Sequence, residues 1–367
     1  MRVTRQRPGP PARPTLEDVA AAAGVSRSTA SRAINGGRRV SPEAQAAVEA
    51  AVRRLGFAPN RAARSLVTAR ADSIALLIGE PDHRVVGDPF FASAVQGLSQ
   101  ALDDTDIQLL LLMARDGRDV ERTARYLRLG HIDGAVVVSH HRNDLLERSL
   151  AHTSLPTVFV GRPWELALDR ADRPATQWSD YVDVDNRRGG QLATAHLVTA
   201  GRRRIGTIAG PADMTSAADR LLGWREALAE AGLPPGPVEH GDYTTPGGAE
   251  AAARLLDAHP DVDALFVASD LMAVGALGVL RARGRDVPAD VAVVGYDDAA
   301  IAAATDPPLT TVVNPVADMA RAAGTVLLER LGVADPDGGP TGDRPVRRDP
   351  IIFPPRLVVR ASSGSRS

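Results

Sequence analysis

The feature that most constrains this fold is an alternation of short apolar and longer amphipathic segments that begins at Ser73. The apolar segments are five to eight residues long and rich in Val, Ile and Leu, which is typical of strands. Strands of this kind, alternating with helices, form parallel sheets that are covered on both faces. Nine strands are too many for one small sheet, so we expect two α/β lobes. The nine are Ser73–Glu80, Ile107–Ala114, Gly134–His140, Pro156–Arg162, Tyr181–Asp185, Arg204–Gly210, Ala264–Ser269, Val291–Asp298 and Thr310–Asn314.

The residues before Ser73 follow a different pattern, that of short helices. Thr15 is a candidate N-cap answered by Asp18, Gly24 supplies a turn, and Ser26 can cap a second helix. An outward face of arginines and small polar side chains suits the major groove of DNA, although the same spacing also fits an ordinary small helical domain. The outward residues are Arg27, Ser28, Ser31, Arg32 and Asn35.

A third helix and a connecting segment complete the N-terminal region. Ser41 followed by Pro42 predicts the start of a helix that ends at Gly56. The segment that follows exposes Leu66 and is too short to be stable as an isolated helix. It is either a plain linker or a helix that orders only on DNA.

Charge divides the chain of 367 residues in the same way. Residues 1–70 hold 13 Arg against 4 acidic residues, a balance of +9, whereas the remainder has a balance of −11. A basic head on an acidic body indicates a nucleic-acid-binding module joined to a body with another role. The arginine- and proline-rich start lacks a secretory core, and no apolar run reaches the length of a membrane span, so we expect a cytoplasmic protein.

Several other kinds of site are disfavoured. Cysteine is absent, which excludes disulfides and thiolate sites. The adjacent His140 and His141, with His131, make a poor ligand set for a metal ion. No phosphate-binding glycine loop and no nucleophile elbow is present, so we expect no cofactor and no enzymatic activity. A stand-alone solute-binding protein would need an export signal and no basic head.

Read in order, these segments resemble the lac repressor (LacI/GalR) family of transcriptional regulators. The resemblance covers about residues 15–362. It implies a small all-α helix-turn-helix headpiece with a hinge helix, followed by a two-lobed α/β, periplasmic-binding-protein-like (type I) core with parallel sheets. The motifs that carry it are TLEDVAAAAGVSRSTASRAING, VSPEAQAAVEAAVRRLGFAPNRAARSL, DPFFASAVQGL, VDVDNRRGGQLATAHLVTAGRRRIGTIAG, DRLLGWREALAEAGL, FVASDLMAVGAL, VPADVAVVGYDD and PPLTTVVNP.

The resemblance also implies a domain plan and a mode of action. A homodimer would read a near-palindromic double-stranded DNA operator, and a small-molecule effector in the interlobe cleft would control the hinge and hence operator binding. A repressor that responds to a sugar or glycoside is expected, with a nucleobase effector as the alternative. The plan is a disordered arm (1–13), a headpiece (14–58), a hinge (59–70), a body (72–362) and a loose tail (363–367). The first lobe comprises about 72–181 and 314–332, and the second about 182–313 and 350–362.

Site residues follow from the same resemblance. In the head, Arg27, Ser28 and Arg32 would touch bases, and Leu66 would wedge into the minor groove. The full DNA-binding set is Thr15, Ser26, Arg27, Ser28, Thr29, Ser31, Arg32, Asn35, Asn60, Arg64 and Leu66.

In the cleft, Asp297 would accept two sugar hydroxyls, Arg220 would clamp the ligand and Phe91 would cover its ring. The effector-binding set is Asp88, Phe91, Arg162, Arg220, Tyr243, Ser269, Asp270, Asp297 and Asn314. Asp88 and Ser269 stand where the family commonly has Asn, which alters the hydrogen-bonding groups offered to the ligand.

Overall fold

The computed structural model describes residues 14–34, 40–57, 70–114, 117–142, 145–151, 153–164, 181–333 and 349–364. The chain divides into two compact units, residues 1–71 and 72–367. The predictions for the arm, for Asn35, Asn60, Arg64 and Leu66, and for residues 365–367 lie outside the described residues.

The smaller unit contains three helices: α1 (Leu16–Ala23), α2 (Arg27–Ile34) and α3 (Pro42–Leu55). Their predicted caps are confirmed. The Thr15 amide donates to Oδ2 of Asp18 at 2.8 Å, and the Asp18 amide donates back to Oγ1 of Thr15 at 3.3 Å. Oγ of Ser26 accepts from the amide of Thr29 at 3.1 Å, and this fixes the start of α2.

The core of this unit is made of small side chains. Val19 and Ala20 of α1, Ala30 and Ala33 of α2, and Val48 with Ala51 of α3 are buried together. Because alanine allows close backbone approach, α2 is held firmly while its polar side remains in solvent. The predicted helix-turn-helix packing is therefore present.

The larger unit alternates strands and helices along the chain. The strands are β1 (Ser73–Ile78), β2 (Gln108–Met113), β3 (Gly134–Val138), β4 (Thr157–Val160), β5 (Tyr181–Val184), β6 (Ile205–Ala209), β7 (Val238–His240), β8 (Ala264–Val267), β9 (Ala292–Asp297), β10 (Thr310–Val313), β11 (Ile351–Phe353) and β12 (Arg356–Val358). The helices are α4 (Asp82–Gly87), α5 (Pro89–Leu102), α6 (Gly117–Arg128), α7 (Leu145–Ala151), α8 (Asn186–Thr199), α9 (Thr215–Glu230), α10 (Thr245–Ala258), α11 (Asp270–Ala282), α12 (Ala300–Ala304) and α13 (Val316–Arg330).

These strands form two six-stranded sheets, one in each lobe. The first has the order β11-β5-β4-β3-β1-β2 and is parallel throughout. The second has the order β12-β10-β9-β8-β6-β7, in which only the β10–β12 pairing is antiparallel among the described strands. Two lobes with parallel sheets confirm the predicted fold class.

Strand β1 shows why the apolar segments are nearly continuous. All six of its residues are buried. Ile74 and Ile78 pack into the core on one face of the sheet, while Ala75 and Leu77 pack into a separate core on the other. Because helices cover both faces, neither set of alternate side chains can be polar.

The lobe boundaries differ from the predicted ones at two short strands. β5 and β11 were placed in the second lobe, but both belong to the first sheet, where Ile351 pairs with Val182 and Val160 with Val182. Backbone hydrogen bonding to β4 keeps β5 in the first lobe until the turn at Asp185. Followed through its described strands, the chain therefore crosses between lobes three times, after β5, after β10 and after β11.

The C-terminal region is also more ordered than predicted. Ser363 was assigned to a loose tail, but it is 1% exposed and its Oγ lies 2.8 Å from Nε2 of His196. Its hydroxyl also donates to Oγ1 of Thr310 at 2.6 Å. These hydrogen bonds fix the chain end against the second lobe as far as Ser363.

Candidate functional site

The cleft between the two lobes is lined from both sides by residues at the carboxyl ends of strands. It encloses about 690 Å³, including its open mouth. Parallel strands bring their carboxyl ends to one edge, which is the usual ligand position in such folds. The lining residues are Arg84, Asp88, Phe90, Ser139, His140, Val160, Gly161, Asp183, Val184, Asn186, Met214, Thr215, Ser216, Arg220, Tyr243, Ser269, Asp297, Asn314 and Met319.

Arg220 is the most constrained of the predicted residues in this cleft. Its Nε donates to Oδ1 of Asn186 at 2.8 Å, and Nη1 donates to the carbonyl of Ala268 at 2.7 Å. The guanidinium lies over the ring of Tyr296, 3.5 Å from its centroid, and Nη1 is 3.8 Å from Oδ1 of Asp297. These contacts orient a fixed fork of donors at the floor of the cleft.

Asp297 lies beside this arginine at the end of β9. Its Oδ1 accepts from Nδ2 of Asn314 at 3.1 Å, and its backbone has φ of +116°, a strained value for a non-glycine residue. Burial raises the pKa of Asp297 to about 6, against the lowering effect of Arg220. Asp297 lines the cleft, so its carboxylate can accept hydrogen bonds from a ligand there.

Asp88 and Tyr243 reach the cleft from opposite lobes. Oδ1 of Asp88 caps α5 by accepting from the amide of Phe90 at 3.0 Å. Tyr243 is buried, has a backbone φ of +63°, and its ring centroid lies 5.6 Å from the guanidinium carbon of Arg84. Ser269 also lines the cleft, where its Oγ accepts from the amide of Met272 at 3.2 Å.

The aromatic residue that faces the cleft is Phe90, whereas the sequence predicted Phe91. Phe91 is 2% exposed and packs with Ala94 and Leu98 in the core of the first lobe. Because α5 begins at Pro89, residues 91, 94 and 98 share its inward face. Phe90 lies on the adjoining face and lines the cleft instead.

Arg162 and Asp270 do not line the cleft either. Nη2 of Arg162 is 2.7 Å from Oδ2 of Asp219, so the guanidinium forms an ion pair at the edge between the lobes. Asp270 is fully buried, and its two oxygens accept from the amide of Ala299 at 2.8 Å and from Oγ1 of Thr311 at 2.6 Å. Its carboxylate supports the loop that follows β9.

Asp183 and Asn186 line the cleft but were not among the predicted effector-binding residues. Asp183 accepts from the amides of Val184 and Arg162 at 2.8 and 3.0 Å and from Nδ2 of Asn186 at 3.0 Å. Burial raises the pKa of Asp183 to about 6. Asp183 and Asn186 could have been identified from the sequence, because they are polar residues at the end of a buried strand.

Arg84 was missed because no local pattern marks it. It is 9% exposed, lies on the short helix α4, and hydrogen-bonds across the cleft to the carbonyl of Asp242. Its guanidinium is 3.7 Å from both Glu80 and Asp88. Glu80 and Asp88 lie four residues away on either side, but Asp242 is 158 residues distant, so the contact across the cleft becomes apparent only in the folded lobes.

The head presents the predicted polar face of α2. Arg27, Ser28 and Arg32 are exposed. Nε of Arg27 is 2.7 Å from Oε1 of Glu17, and Nε of Arg32 donates to the carbonyl of Ser28 at 3.2 Å. Oγ of Ser26 lies 2.9 Å from both Oγ of Ser28 and Oγ1 of Thr29, within the cap of the helix.

The remaining predicted head residues, Thr15 and Ser31, differ in exposure: Thr15 is exposed and Ser31 is half-buried. Within the described residues, no cluster of His, Cys, Asp or Glu could hold a metal ion. None of the helices in those residues is long and apolar enough to cross a membrane.

Comparison with known proteins identifies the family. Residues 15–60 match the model described as bacterial regulatory proteins, lacI family, and residues 194–363 match a periplasmic binding protein-like domain. The HTH-type transcriptional regulator CelR of Thermobifida fusca is 45% identical over 354 residues, covering 95% of this chain and 98% of CelR. This chain belongs to the lacI family of bacterial regulatory proteins.

Solved structures of family members agree with this assignment. A complex of the transcriptional regulator CelR with cellobiose aligns with a TM-score of 0.72 and 43% identity, covering 95% of this chain and all of that one. A lac repressor dimer bound to operator and the anti-inducer ONPF aligns with a TM-score of 0.78 and 25% identity, covering 96% and 99% of the two chains.

The two neighbouring phenylalanines give a first prediction. Phe91→Ala should lower the free energy of unfolding by about 3–5 kcal/mol, because it empties a closed core site. Phe90→Ala should cost less than half as much, because its ring faces the cleft. Urea denaturation of the two variants measures the difference, and equal losses would contradict the assignment of Phe90 to the cleft.

Proposed function

We propose that this chain is a sugar-responsive transcriptional repressor that binds operator DNA as a homodimer and takes a neutral glucoside in its interlobe cleft. The observation that carries the proposal is the arrangement of Arg220 of α9 beside Asp297 and Asn314, which lie at the ends of β9 and β10. The guanidinium of Arg220 can donate hydrogen bonds and the carboxylate of Asp297 can accept them, so together they can bind adjacent hydroxyls of a sugar ring. The near full-length likeness to CelR, which has been solved with cellobiose, makes cellobiose the first ligand to test.

The charged side chains of the cleft favour a neutral ligand over a phosphorylated one. Asp88, Asp183 and Asp297 are set against Arg84 and Arg220, so charged ligand groups meet carboxylates as well as guanidinium groups. A phosphorylated sugar would place its negative charge beside three carboxyl groups. A neutral polyol avoids this repulsion and can use the carboxylates as hydrogen-bond acceptors.

A nucleobase is the competing effector, since purine repressors are also relatives of this chain. Phe90 and Tyr243 could stack on a planar base. A sugar is favoured because the acceptors Asp88 and Asp297, with the amide of Asn314, provide more hydrogen-bonding groups than a base edge requires. A ligand panel decides between these classes.

The proposed regulatory mechanism is thermodynamic linkage between the effector cleft and the DNA-binding head. An effector that binds one interlobe geometry more tightly shifts the body toward it, and operator affinity changes by the same coupling. The region between head and body, which includes Leu66, is proposed to transmit the change through a minor-groove contact. The chain then acts by binding rather than catalysis, and in the cytoplasm, where its operator lies.

Calorimetric titration of the intact protein tests the effector site. Cellobiose should bind, while glucose 6-phosphate and guanine should not. Asp297→Asn should weaken cellobiose binding about tenfold or more, because a charge-assisted hydrogen bond contributes about 1.5–3 kcal/mol. Asp185→Asn, which removes an exposed helix-capping carboxylate that does not line the cleft, is the matched control. Tight guanine binding with no response to any sugar would overturn the sugar assignment.

The head gives a separate prediction. Arg27→Ala should weaken binding to a selected operator duplex by about 1–3 kcal/mol and relax the base preference at one position of each half-site. Arg53→Ala serves as the control, because it removes the same charge from α3. Like Arg27, Arg53 is exposed and pairs with a neighbouring carboxylate, that of Glu49 at 4.0 Å. Fluorescence anisotropy on selected and scrambled duplexes measures both. If the two variants lose affinity equally on both duplexes, Arg27 contributes charge and reads no base.

A further inference from the structure

A histidine outside the lining of the cleft connects the two lobes. His141 follows β3 of the first lobe, and its Nε2 lies 3.1 Å from Oε1 of Glu80, at the end of β1. Its Nδ1 lies 2.9 Å from Oδ2 of Asp213, in the second-lobe loop between β6 and α9. Ionised carboxylates only accept hydrogen bonds, so both ring nitrogens must carry protons and the ring is an imidazolium.

The backbone of Asp213 is held by the same part of the first lobe. Its carbonyl accepts from the amide of Arg142 at 2.7 Å and from the indole Nε1 of Trp164. The guanidinium of Arg142 stacks on the indole of Trp164, 3.9 Å from its centroid. Three residues of the first lobe, His141, Arg142 and Trp164, therefore hydrogen-bond to Asp213 of the second lobe.

Glu80 forms the fixed end of this bridge. Its side chain is 8% exposed, and its Oε1 accepts from Oγ of Ser139 at 2.6 Å. Burial raises the pKa of Glu80, but the hydrogen bond from His141 and the charge of Arg84 outweigh it, so the pKa lies below its ordinary value. A carboxylate this constrained stays with the first lobe when the lobes move.

Asp213 forms the second-lobe end of the bridge. It immediately precedes Met214, Thr215 and Ser216, which line the cleft from the second lobe. Separation of the lobes would remove Asp213 from His141 and withdraw those three residues from the ligand. The bridge and the complete lining of the cleft therefore require the same approach of the two lobes.

We propose that His141 is a positioning residue for effector binding, which as an imidazolium shared by Glu80 and Asp213 clasps the lobes in the closed form. The inference rests on the proposed function of the cleft as the effector site. The clasp raises the fraction of molecules in the binding-competent form, and the apparent dissociation constant falls in proportion. His141 itself does not touch the ligand.

The charged groups around the ring set the direction of a pH effect. Glu80 and Asp213 face it directly, Arg84 lies on the far side of Glu80, and His140 and Arg142 flank it in the chain. The hydrogen bond to Glu80 raises the pKa of His141 to about 9, with Asp213 adding to it and burial opposing it. Loss of the proton leaves two carboxylates around a neutral ring. The clasp is therefore present at neutral pH and is lost as the pH rises toward 9 and above.

Calorimetry with cellobiose across pH 6.5–10 tests the clasp. Wild-type affinity should be constant near pH 7 and fall about tenfold by pH 10. Asp213→Asn and His141→Gln should each bind about tenfold more weakly at pH 7 and show no further fall. Asp261→Asn removes an exposed carboxylate that pairs with Arg204 within the second lobe and should match the wild type. Weaker binding by Asp213→Asn with an unchanged pH profile would reduce Asp213 to a structural role and overturn the proposal.

A ligand-free readout separates this proposal from the proposed function. In an NMR titration of the wild type, the His141 ring, assigned with His141→Gln, should titrate near pH 9, and in Asp213→Asn at a lower pH. If the wild type binds no sugar yet this shift occurs, the sugar assignment fails and the clasp remains. If His141 titrates identically in both proteins, the clasp is wrong even when cellobiose binds. Circular dichroism spectra confirm that each variant is folded.

Discussion

Arg220 is 5% exposed, so its positive charge must be compensated by protein groups that cannot move freely. Asn186, the carbonyl of Ala268, the ring of Tyr296 and the carboxylate of Asp297 supply that compensation. The requirement fixes the ends of β8 and β9 relative to the start of α8. The polar floor of the cleft is thus arranged before any ligand arrives.

The same arginine connects the polar end of the cleft to the first crossing between the lobes. Asn186, its hydrogen-bond partner, begins α8 just after the first of the three crossings between lobes. Gly189 and Gly190, one turn later, leave room for Tyr296 and for the backbone of Arg220, where a side chain on either glycine would collide. A ligand that draws on Arg220 therefore acts directly on the crossing, while the contacts of Asp213 hold the mouth of the cleft.

Contacts between residues close in sequence could be predicted more often than contacts between residues far apart in the chain. Thr15 and Asp18 could be read as a cap because both partners lie within four residues. Asp297 was placed at the cleft by the family resemblance, and it lies there at the end of β9. Phe91 was expected in the cleft from the family resemblance, but α5 begins at Pro89 and its phase directs Phe91 into the core. The roles of Arg84, of β11 and of the oxygens of Asp270 depend on partners far along the chain, which no pattern of neighbours reveals.

We propose that the cleft and the head are two sites of one switch. The direct measurement is fluorescence anisotropy of a selected operator duplex, titrated with the intact protein at fixed salt and increasing cellobiose. Operator affinity should change at least tenfold, with a midpoint at the dissociation constant of cellobiose measured independently. Unchanged operator affinity at cellobiose concentrations that saturate the cleft would contradict it.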